Sequence, residues 1–259
     1  MFKFTGKDLM RQILKRTTAS KDPTRVHLNS VLFKQTDRKA TIVSTDGHRL
    51  TVLNFDQKHS KSILDGCISL PRKTNVPMSL LTIPSHEIAI EDNTLTTNFG
   101  KVELNQVDFP EYERVIPNRY DFSFVARRDV MLKEINNLKK RVKKIEYNAV
   151  YFEVIRDLDV FTLRLSCKSE DTEDDNVYAS EPMYISVNDD TKETRIGFDI
   201  RYLHELCKNS SSYTFDVSMN EATLSLSPVQ FESTENLSKN KQNPIKATMI
   251  TILMPMRIE

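Results

Sequence analysis

Short runs of alternating hydrophobic and polar residues recur along this chain of 259 residues. Val26-His27-Leu28, Phe122-Ser123-Phe124 and Tyr151-Phe152-Glu153-Val154 all alternate in this way, which is typical of half-buried antiparallel strands. Other segments place apolar residues three and four positions apart, as on one side of an amphipathic helix. The pattern therefore predicts an α+β fold in which antiparallel sheets and a few helices share a hydrophobic core.

The pattern repeats at about half of the chain length. Phe2-Lys3-Phe4 opens a strand followed by a helix, and Phe122-Ser123-Phe124 does the same. In each half a second short helix is predicted, near residues 76–81 and near residues 200–208. Repetition of whole strand and helix patterns indicates duplicated domains.

The boundary between the two repeats is predicted at Pro117 to Asp121, where a proline and polar residues separate the patterns. This predicts one domain over residues 1–120 and a second over residues 121–259. Two segments, Lys168 to Pro182 and Ser227 to Lys246, are polar and lack a core pattern. Both are expected to be mobile surface loops.

Composition excludes several classes of function. The net charge of +1, from 37 basic and 36 acidic residues, excludes a simple polybasic nucleic-acid binder, so any DNA contact must come from the placement of charge. Five glycines in the whole chain are too few and scattered for a phosphate-binding loop, and no cofactor is expected. Cys67, Cys167 and Cys207 form no CxxC pair, which predicts reduced, mostly buried thiols. With no secretory signal and no membrane-length apolar run, a soluble cytoplasmic protein without a membrane partner is expected.

Three predicted helices carry cationic residues on the side opposite their apolar residues. The first is expected to begin at Thr5, with Asp8 completing a capping box. The cations predicted to form these faces are Lys7, Arg11 and Lys15, then Lys133, Lys140 and Lys144, and finally Arg201 and Lys208, with His204 between the last two. One such face alone is more often simply solvated. Three of them in a nearly neutral chain favour a shared surface that contacts DNA phosphates without reading sequence.

Five segments carry a family resemblance. They are Leu28–Phe33, Thr45–Val52 (TDGHRLTV), Phe109–Pro117 (FPEYERVIP), Ile196–Tyr202 and the chain end Leu253–Glu259 (LMPMRIE). In this order they resemble the bacterial DNA polymerase III β subunits, the DNA sliding clamps. The resemblance assigns residues 1–120 to the middle clamp domain and residues 121–259 to the C-terminal one, and finds no counterpart of the N-terminal domain.

The resemblance implies a non-catalytic processivity factor. Clamps are rings of six such domains that encircle double-stranded DNA, with helices on the inner wall and sheets outside. They tether DNA polymerase, and they bind clamp-loader and repair proteins through short linear peptides. With two domains per chain, ring closure by symmetry implies a head-to-tail homotrimer, located in the cytoplasm with the nucleoid.

The family's partner peptides bind in a hydrophobic groove, which the resemblance maps onto this chain residue by residue. The implied groove residues are Leu28, Thr45, Gly47, His48, Arg49, Leu50, Pro110, Arg114, Val115, Tyr202, Thr223, Ile252, Leu253, Met254, Pro255, Met256 and Arg257. Methionine and leucine adapt to varied apolar ligands, while arginine and the glycine backbone fix polar groups. Leu28, Leu50 and Ile252 also fit ordinary core strand positions. Asp199 and Glu259 depart from the family pattern.

Two alternatives remain open from the sequence. A truncated clamp could bind partner peptides as a decoy or adaptor without encircling DNA. An enzyme could use Asp46 and His48, although neither a nucleophile nor a third metal ligand lies at an interpretable spacing. The acidic stretch Glu170 to Asp175 lacks the glycine and terminal glutamate of a calcium loop, so no metal is expected. It is interpreted as a solvated loop facing away from DNA.

Overall fold

The computed structural model of the protein describes residues 4–5, 12–13, 15–18, 20, 22, 24–35, 39–56, 68–69, 87–91, 94–97, 100–103, 109–170, 177–188, 191, 193–220, 227–237 and 245–256. The chain forms two compact units, one from Met1–Glu113 with Thr234–Ile250 and the other from Arg114–Ser233 with Thr251–Glu259. Among the described residues, the helices are too short or too polar to cross a lipid bilayer.

The described part of the first unit begins with eight strands. They are β1 (Phe4–Thr5), β2 (Val31–Gln35), β3 (Lys39–Thr45), β4 (Arg49–Asp56), β5 (Ile68–Ser69), β6 (Glu87–Glu91), β7 (Thr94–Thr97) and β8 (Gly100–Glu103). Short 3-10 helices cover Val26–Leu28 and Tyr112–Val115. Residues 12–13 and 15–16 are α-helical, which agrees with the first predicted helix, whereas its start lies outside the described residues.

The remaining elements alternate between strands and two α-helices. They are β9 (Phe122–Arg127), α1 (Arg128–Arg141), β10 (Ala149–Asp157), β11 (Val160–Lys168), β12 (Val177–Ala179), β13 (Met183–Tyr184), β14 (Ser186–Val187), β15 (Thr194–Asp199), α2 (Ile200–Asn209), β16 (Thr214–Met219), β17 (Val229–Asn236) and β18 (Lys246–Leu253), with a 3-10 helix at Glu146–Asn148. The α+β class with antiparallel sheets is confirmed. The second helix predicted near residues 76–81 lies outside the described residues.

The described strands of each unit belong to two antiparallel sheets. The first unit has one sheet with the order β1-β6-β7-β8, and the run β18-β4-β3-β2-β5 of a longer sheet. The second unit has one sheet with the order β12-β11-β10-β15, with β13 also paired to β11, and the run β14-β9-β16-β17 of a longer sheet. Antiparallel pairing leaves one face of a sheet for the core and one for solvent, which agrees with the alternation read from the sequence.

An aromatic cluster forms the core of the second unit. Phe152 of β10 lies at its centre, with ring centroids 6.1 Å from Phe124, 5.8 Å from Phe198 and 6.1 Å from Phe231. All four rings are almost completely buried. Edge-to-face packing of this kind adds about 0.5–1.5 kcal/mol per pair to the free energy of area burial. The cluster joins strands of both sheets.

Helix α1 buries the row of apolar residues that its sequence predicts on one face. Met131, Ile135 and Leu138 are completely buried beneath it. The predicted stripe also included Val142, which is buried but follows the helix end at Arg141. The prediction that Lys144 belongs to this helix was therefore wrong, because the backbone at Val142 has already become extended.

Three further sequence interpretations were wrong. Val26–Leu28 is a 3-10 helix rather than a strand. The predicted loop from Lys168 to Pro182 contains β12, which pairs with β11. The predicted loop from Ser227 to Lys246 contains β17, whose Val229 and Phe231 are buried. Strand β17 was misread because its polar residues obscure the alternation, and β12 was misread because three residues are too few to show one.

A buried ion pair joins distant parts of the first unit. The Arg16 guanidinium donates through Nε and Nη2 to Oε2 of Glu235, at 3.0 and 2.8 Å. The two side chains are 2% and 0% exposed. Arg16 also donates through Nη1 to the main-chain carbonyl of Gln12 at 3.0 Å. These bonds stabilise the end of the first helical segment against the last residues of β17.

Two of the three cysteines lie within the described residues. Cys167 and Cys207 are buried and form no disulfide, as predicted. Burial raises the pKa of Cys167 to about 11 and the pKa of Cys207 to about 12. Both therefore stay protonated thiols at neutral pH and behave as small core residues. Cys67 lies outside the described residues.

Candidate functional site

The first group of predicted site residues occupies the turn between β3 and β4. Asp46 accepts hydrogen bonds on Oδ1 from the main-chain N–H groups of His48 and Arg49, both at 3.1 Å. The Arg49 Nε donates to the other carboxylate oxygen at 3.0 Å. The Thr45 hydroxyl accepts from the Gly47 N–H at 3.1 Å and donates to the Arg49 carbonyl at 2.8 Å. This network fixes the turn and the direction of each side chain.

Gly47 is required by the backbone of this turn. Its φ of +90° is a conformation that L side chains rarely adopt. A Cβ at this position would also lie 3.4 Å from Cδ1 of Leu28 and 3.7 Å from a guanidinium nitrogen of Arg25. Leu28 therefore packs against the turn, as the groove prediction requires for these two residues.

The turn combines surface residues with core residues. Gly47 and His48 are exposed, Leu28, Thr45 and Arg49 are half-buried, and Leu50 is buried. Asp46 uses both carboxylate oxygens in holding the turn. These hydrogen bonds give Asp46 and the main chain of His48 a structural role. The proximity of the two residues is therefore explained without a catalytic pair.

The second group lies on the segment after β8. Pro110 is half-buried, while Arg114 and Val115 are exposed. Tyr112 is buried under Lys34, whose ammonium lies 5.3 Å from the ring centroid and 3.0 Å from Oε1 of Glu113. Burial is the main cause that raises the pKa of Tyr112 above its ordinary value. This anchor fixes the 3-10 helix from which Arg114 and Val115 extend.

The third group lies at the end of β18 and on α2, within the second unit. Ile252 and Leu253 are buried, Met254 is 37% exposed, and Pro255 and Met256 are half-buried. The Met256 N–H donates to the Gly197 carbonyl at 2.8 Å, which ties the tail to β15. Met254 and its neighbours thus form a methionine-rich surface, whereas Ile252 and Leu253 belong to the core.

Helix α2 begins directly after β15 with a side-chain cap. Asp199 Oδ1 accepts from the Arg201 N–H at 2.8 Å and from the Arg201 Nε at 3.0 Å. The aspartate that departs from the family pattern therefore stabilises the start of the helix that carries Tyr202, which is half-buried. Two other predicted site residues, Thr223 and Arg257, lie outside the described residues.

The predicted DNA-facing residues differ in their surroundings. Lys7 and Arg11 lie outside the described residues, and Lys15 is exposed. The described ones in the second unit are all exposed: Lys133, Lys140, Lys144, Arg201 and Lys208.

Three of these cations have carboxylate neighbours. Lys133 lies 3.7 Å from Glu134, Arg201 pairs with Asp199, and Lys144 pairs with Glu170. The Lys144 ammonium is the main cause that lowers the pKa of Glu170. Glu170 opens the acidic stretch that was expected to face away from DNA, so its contact with a predicted DNA-facing lysine contradicts one of these two interpretations.

His204 lies on α2, close to cations of both α1 and α2. It is half-buried on α2, one turn before Lys208 and one turn after Arg201. Burial, and then the charges of Lys139 and Lys208, lower its pKa below the ordinary value, while Glu205 opposes this change. Lys139 belongs to α1, so α1 and α2 direct positive charge toward the same region.

Two residues of these surfaces were not predicted. Lys139 belongs to the run Lys139-Lys140-Arg141, of which only Lys140 was predicted to face DNA. The run itself is the signal that could have identified Lys139. Arg25 lies beside Gly47, and its Nε is 3.6 Å from a carboxylate oxygen of Asp22. Nothing in the local sequence indicates that Arg25 approaches the turn, because the contact depends on the 3-10 helix that follows it.

Comparisons with known proteins show what this chain is similar to. Residues 5–107 match the family model described as "DNA polymerase III beta subunit, central domain". The beta sliding clamp of Proteus mirabilis is 25% identical over 242 residues, covering 90% of this chain and 59% of the relative. Most of the chain is therefore similar in sequence to bacterial β sliding clamps. The beta sliding clamp of Pseudomonas putida is 25% identical over 203 residues, covering 75% of this chain and 52% of that protein.

Solved clamp structures share the fold of this chain. The DNA polymerase III beta subunit of Thermotoga maritima superposes with a TM-score of 0.75 at 18% identity, covering all of this chain and 65% of that one. The sliding clamp of Bacillus subtilis gives a TM-score of 0.77 at 15% identity, covering 98% of this chain and 64% of that one. The chain spans between about half and two thirds of the length of these relatives. The chain thus has the sliding-clamp fold.

Proposed function

We propose that this protein is a DNA sliding clamp, a non-catalytic processivity factor that surrounds double-stranded DNA and tethers a polymerase to it. The chain would act on cytoplasmic DNA, at the nucleoid. The family relationship and the clamp fold support this function. The observation that carries it for this chain is the cationic surface of the second unit, where α1 and α2 bury apolar stripes and leave Lys139, Lys140 and Lys208 toward solvent.

The DNA contact we propose is electrostatic and independent of sequence. Lysines on helix faces reach phosphates but do not enter a groove to read base edges. Lys140 and Lys208 are exposed, and within the described parts of the chain no carboxylate forms an ion pair with either one. Such side chains can exchange one phosphate for the next, which suits a protein that moves along DNA. Their contribution should fall with salt, with a log-log slope of about −0.9 per phosphate contact.

The partner-binding surface we propose uses the three groups of groove residues. Its exposed members are Gly47, His48, Arg114, Val115 and Met254. They combine apolar contact area with arginine donors and an accessible backbone, the combination that binds short linear peptides. A small peptide interface of this kind binds at about micromolar Kd, which is weak enough for partners to exchange. Buried Leu50 supports the turn in the first unit, and buried Ile252 and Leu253 support the methionine-rich surface in the second.

The assembly we propose is a head-to-tail homotrimer, since three chains of two clamp units provide the six units of a ring. Within the described residues, β12 and β14 end the two sheets of the second unit, while β5 and β8 end sheets of the first. Edge strands expose unpaired main-chain groups that favour pairing with another strand. Pairing of edges between copies would close the ring without further elements.

The decisive experiment compares retention on circular and linear DNA. The protein is loaded onto nicked circular duplex, and its retention is measured by gel filtration before and after the circle is cut once. A ring stays on the circle and slides off the linear form. Sedimentation equilibrium at micromolar concentration gives the mass, and a trimer is expected.

The outcomes separate the proposed clamp from an adaptor. A monomer that binds a fluorescent clamp-binding peptide of a bacterial polymerase, but is not retained on circles, would establish the decoy or adaptor instead. Equal retention on cut and intact circles would contradict encirclement. The absence of both peptide binding and DNA retention would reject the clamp function altogether.

A further inference from the structure

The cluster of His204, Lys139 and Lys208 carries an inference that rests on the proposed DNA-binding function and goes beyond it. These residues come from both helices of the second unit, and their charges influence one another. His204 is the titratable member near neutral pH, because an imidazole ordinarily changes charge between about pH 5 and pH 8.

The geometry places His204 in line with cations on α2. It follows Arg201 by three residues and precedes Lys208 by four, so the three side chains lie on neighbouring turns of one helix face. Arg201 is engaged by Asp199 through its N–H and its guanidinium. The positive charge available beyond that pair therefore comes from Lys208 and, from α1, Lys139.

The charges around His204 oppose its protonation in the free protein. Burial disfavours the imidazolium, Lys139 and Lys208 repel it, and Glu205 provides a weaker, opposite contribution. These effects keep the pKa of His204 below its ordinary value. The imidazole is accordingly neutral at neutral pH when no anion is present.

We infer that His204 is a proton-linked phosphate contact, which takes up one proton from solvent when duplex DNA binds across α1 and α2. Phosphates placed near Lys139 and Lys208 cancel their repulsion and add attraction for an imidazolium. Protonation then gives the cluster a third positive charge only while DNA is bound. Affinity for DNA would rise as the pH falls, whereas the free surface would not carry that charge at neutral pH.

The size of the effect follows from linkage. Each unit by which DNA raises the pKa of His204 increases affinity about tenfold at a pH below both values. We expect wild-type affinity for a short linear duplex to increase about three- to tenfold between about pH 7.5 and about pH 5.5 at constant ionic strength. Fluorescence anisotropy of a labelled duplex measures this directly.

Matched variants identify the responsible group. H204Q should lose most of the pH dependence, and His204→Lys should bind more tightly than wild type at neutral pH without that dependence. His27→Gln, at an exposed histidine in the first unit, should keep the wild-type dependence. A wild-type dependence retained in H204Q would overturn the inference.

A second measurement remains informative if H204Q folds poorly. NMR of the imidazole in the wild-type protein should show a pKa for His204 that rises when duplex DNA is added. An unchanged pKa in the presence of DNA binding would refute the proton linkage while leaving the clamp proposal intact. If wild-type protein shows no salt-dependent binding to duplex at any pH, the proposed function fails, and the linkage fails with it.

Discussion

Arg16 and Glu235 form a buried ion pair although 219 positions separate them in sequence. The bidentate contact at 3.0 and 2.8 Å joins a helical segment near the chain start to a strand near its end. Removing one partner would leave an uncompensated charge in the core. The pair therefore specifies which strand completes the first unit.

Glu235→Gln should lower the free energy of unfolding by about 3–5 kcal/mol, because the Arg16 charge remains buried without its counter-charge. Urea unfolding followed by circular dichroism measures the change. Glu113→Gln is the control, since it breaks the exposed ion pair with Lys34 and should cost less than about 1 kcal/mol. The double variant Arg16→Met/Glu235→Leu should recover much of the loss. Equal effects of the buried and the exposed substitutions would contradict this account.

Gly47→Ala should lower the free energy of unfolding by about 1–3 kcal/mol, because φ of +90° strains any residue with a Cβ. The new Cβ would make ordinary van der Waals contact with Leu28, so the strain comes from the backbone. Thermal unfolding gives the magnitude. The matched variant Asp46→Asn keeps an acceptor for the His48 and Arg49 N–H groups and should cost less. A fully stable Gly47→Ala protein would mean that the turn can change its backbone conformation.

Substitutions of Met254 and Ile252 should have different effects, one on peptide affinity and the other on stability. Met254→Ala removes a partly exposed side chain and should weaken the polymerase peptide about tenfold, corresponding to about 1.4 kcal/mol, with little loss of stability. Ile252→Ala empties a core position that is 0% exposed and should cost about 2–5 kcal/mol of stability. Calorimetric titration and urea unfolding test the two effects. Unaltered peptide affinity in Met254→Ala would remove this residue from the proposed surface.

Charge removal on the helices should change the salt dependence of DNA binding. Lys140→Gln/Lys208→Gln should reduce the log-log salt slope by about 2, or about 0.9 per lost phosphate contact. Arg164→Gln is the control, since Arg164 lies on β11 and pairs with Glu153 at 3.0 Å. Anisotropy titrations over a range of salt concentrations provide the slopes. A larger effect of the control would place DNA on the sheet rather than on the helices.

His204 should make the protein less stable in acid. Its pKa is lowered in the folded state, mainly by burial, so the unfolded chain takes up the proton first as the pH falls. The associated stability is fully present above about pH 6.5, the ordinary pKa of histidine, and is lost as the pH falls through the lower folded-state value. H204Q should unfold with a flatter pH dependence in that range. Parallel urea titrations across this range would show it, and identical curves for both proteins would contradict the assignment.

The sequence predicted the elements that follow a local pattern. Met131, Ile135 and Leu138 recur at helical spacing and are buried on α1, as expected. The extended run Val26–Leu28 forms a 3-10 helix instead, because a three-residue alternation is too short to exclude other conformations.

Strand β17 shows what the sequence could not reveal. Its buried positions include Ser233 and Glu235, so the alternation of apolar residues ends before the strand does. Glu235 is buried in an ion pair with Arg16, and the local sequence does not indicate that partner. The contact between Glu170 and Lys144 likewise depends on tertiary structure and could not be read from the sequence.

The division of the first unit into two separated stretches has a consequence for biosynthesis. Residues 1–113 emerge from the ribosome before residues 234–250 exist, so the nascent first unit lacks β18 and the carboxylate of Glu235. Residues 114–233, with their aromatic cluster, are translated in the interval. The aromatic cluster of the second unit can therefore pack before Thr251–Glu259 complete that unit, whereas Arg16 has no counter-charge until Glu235 is translated.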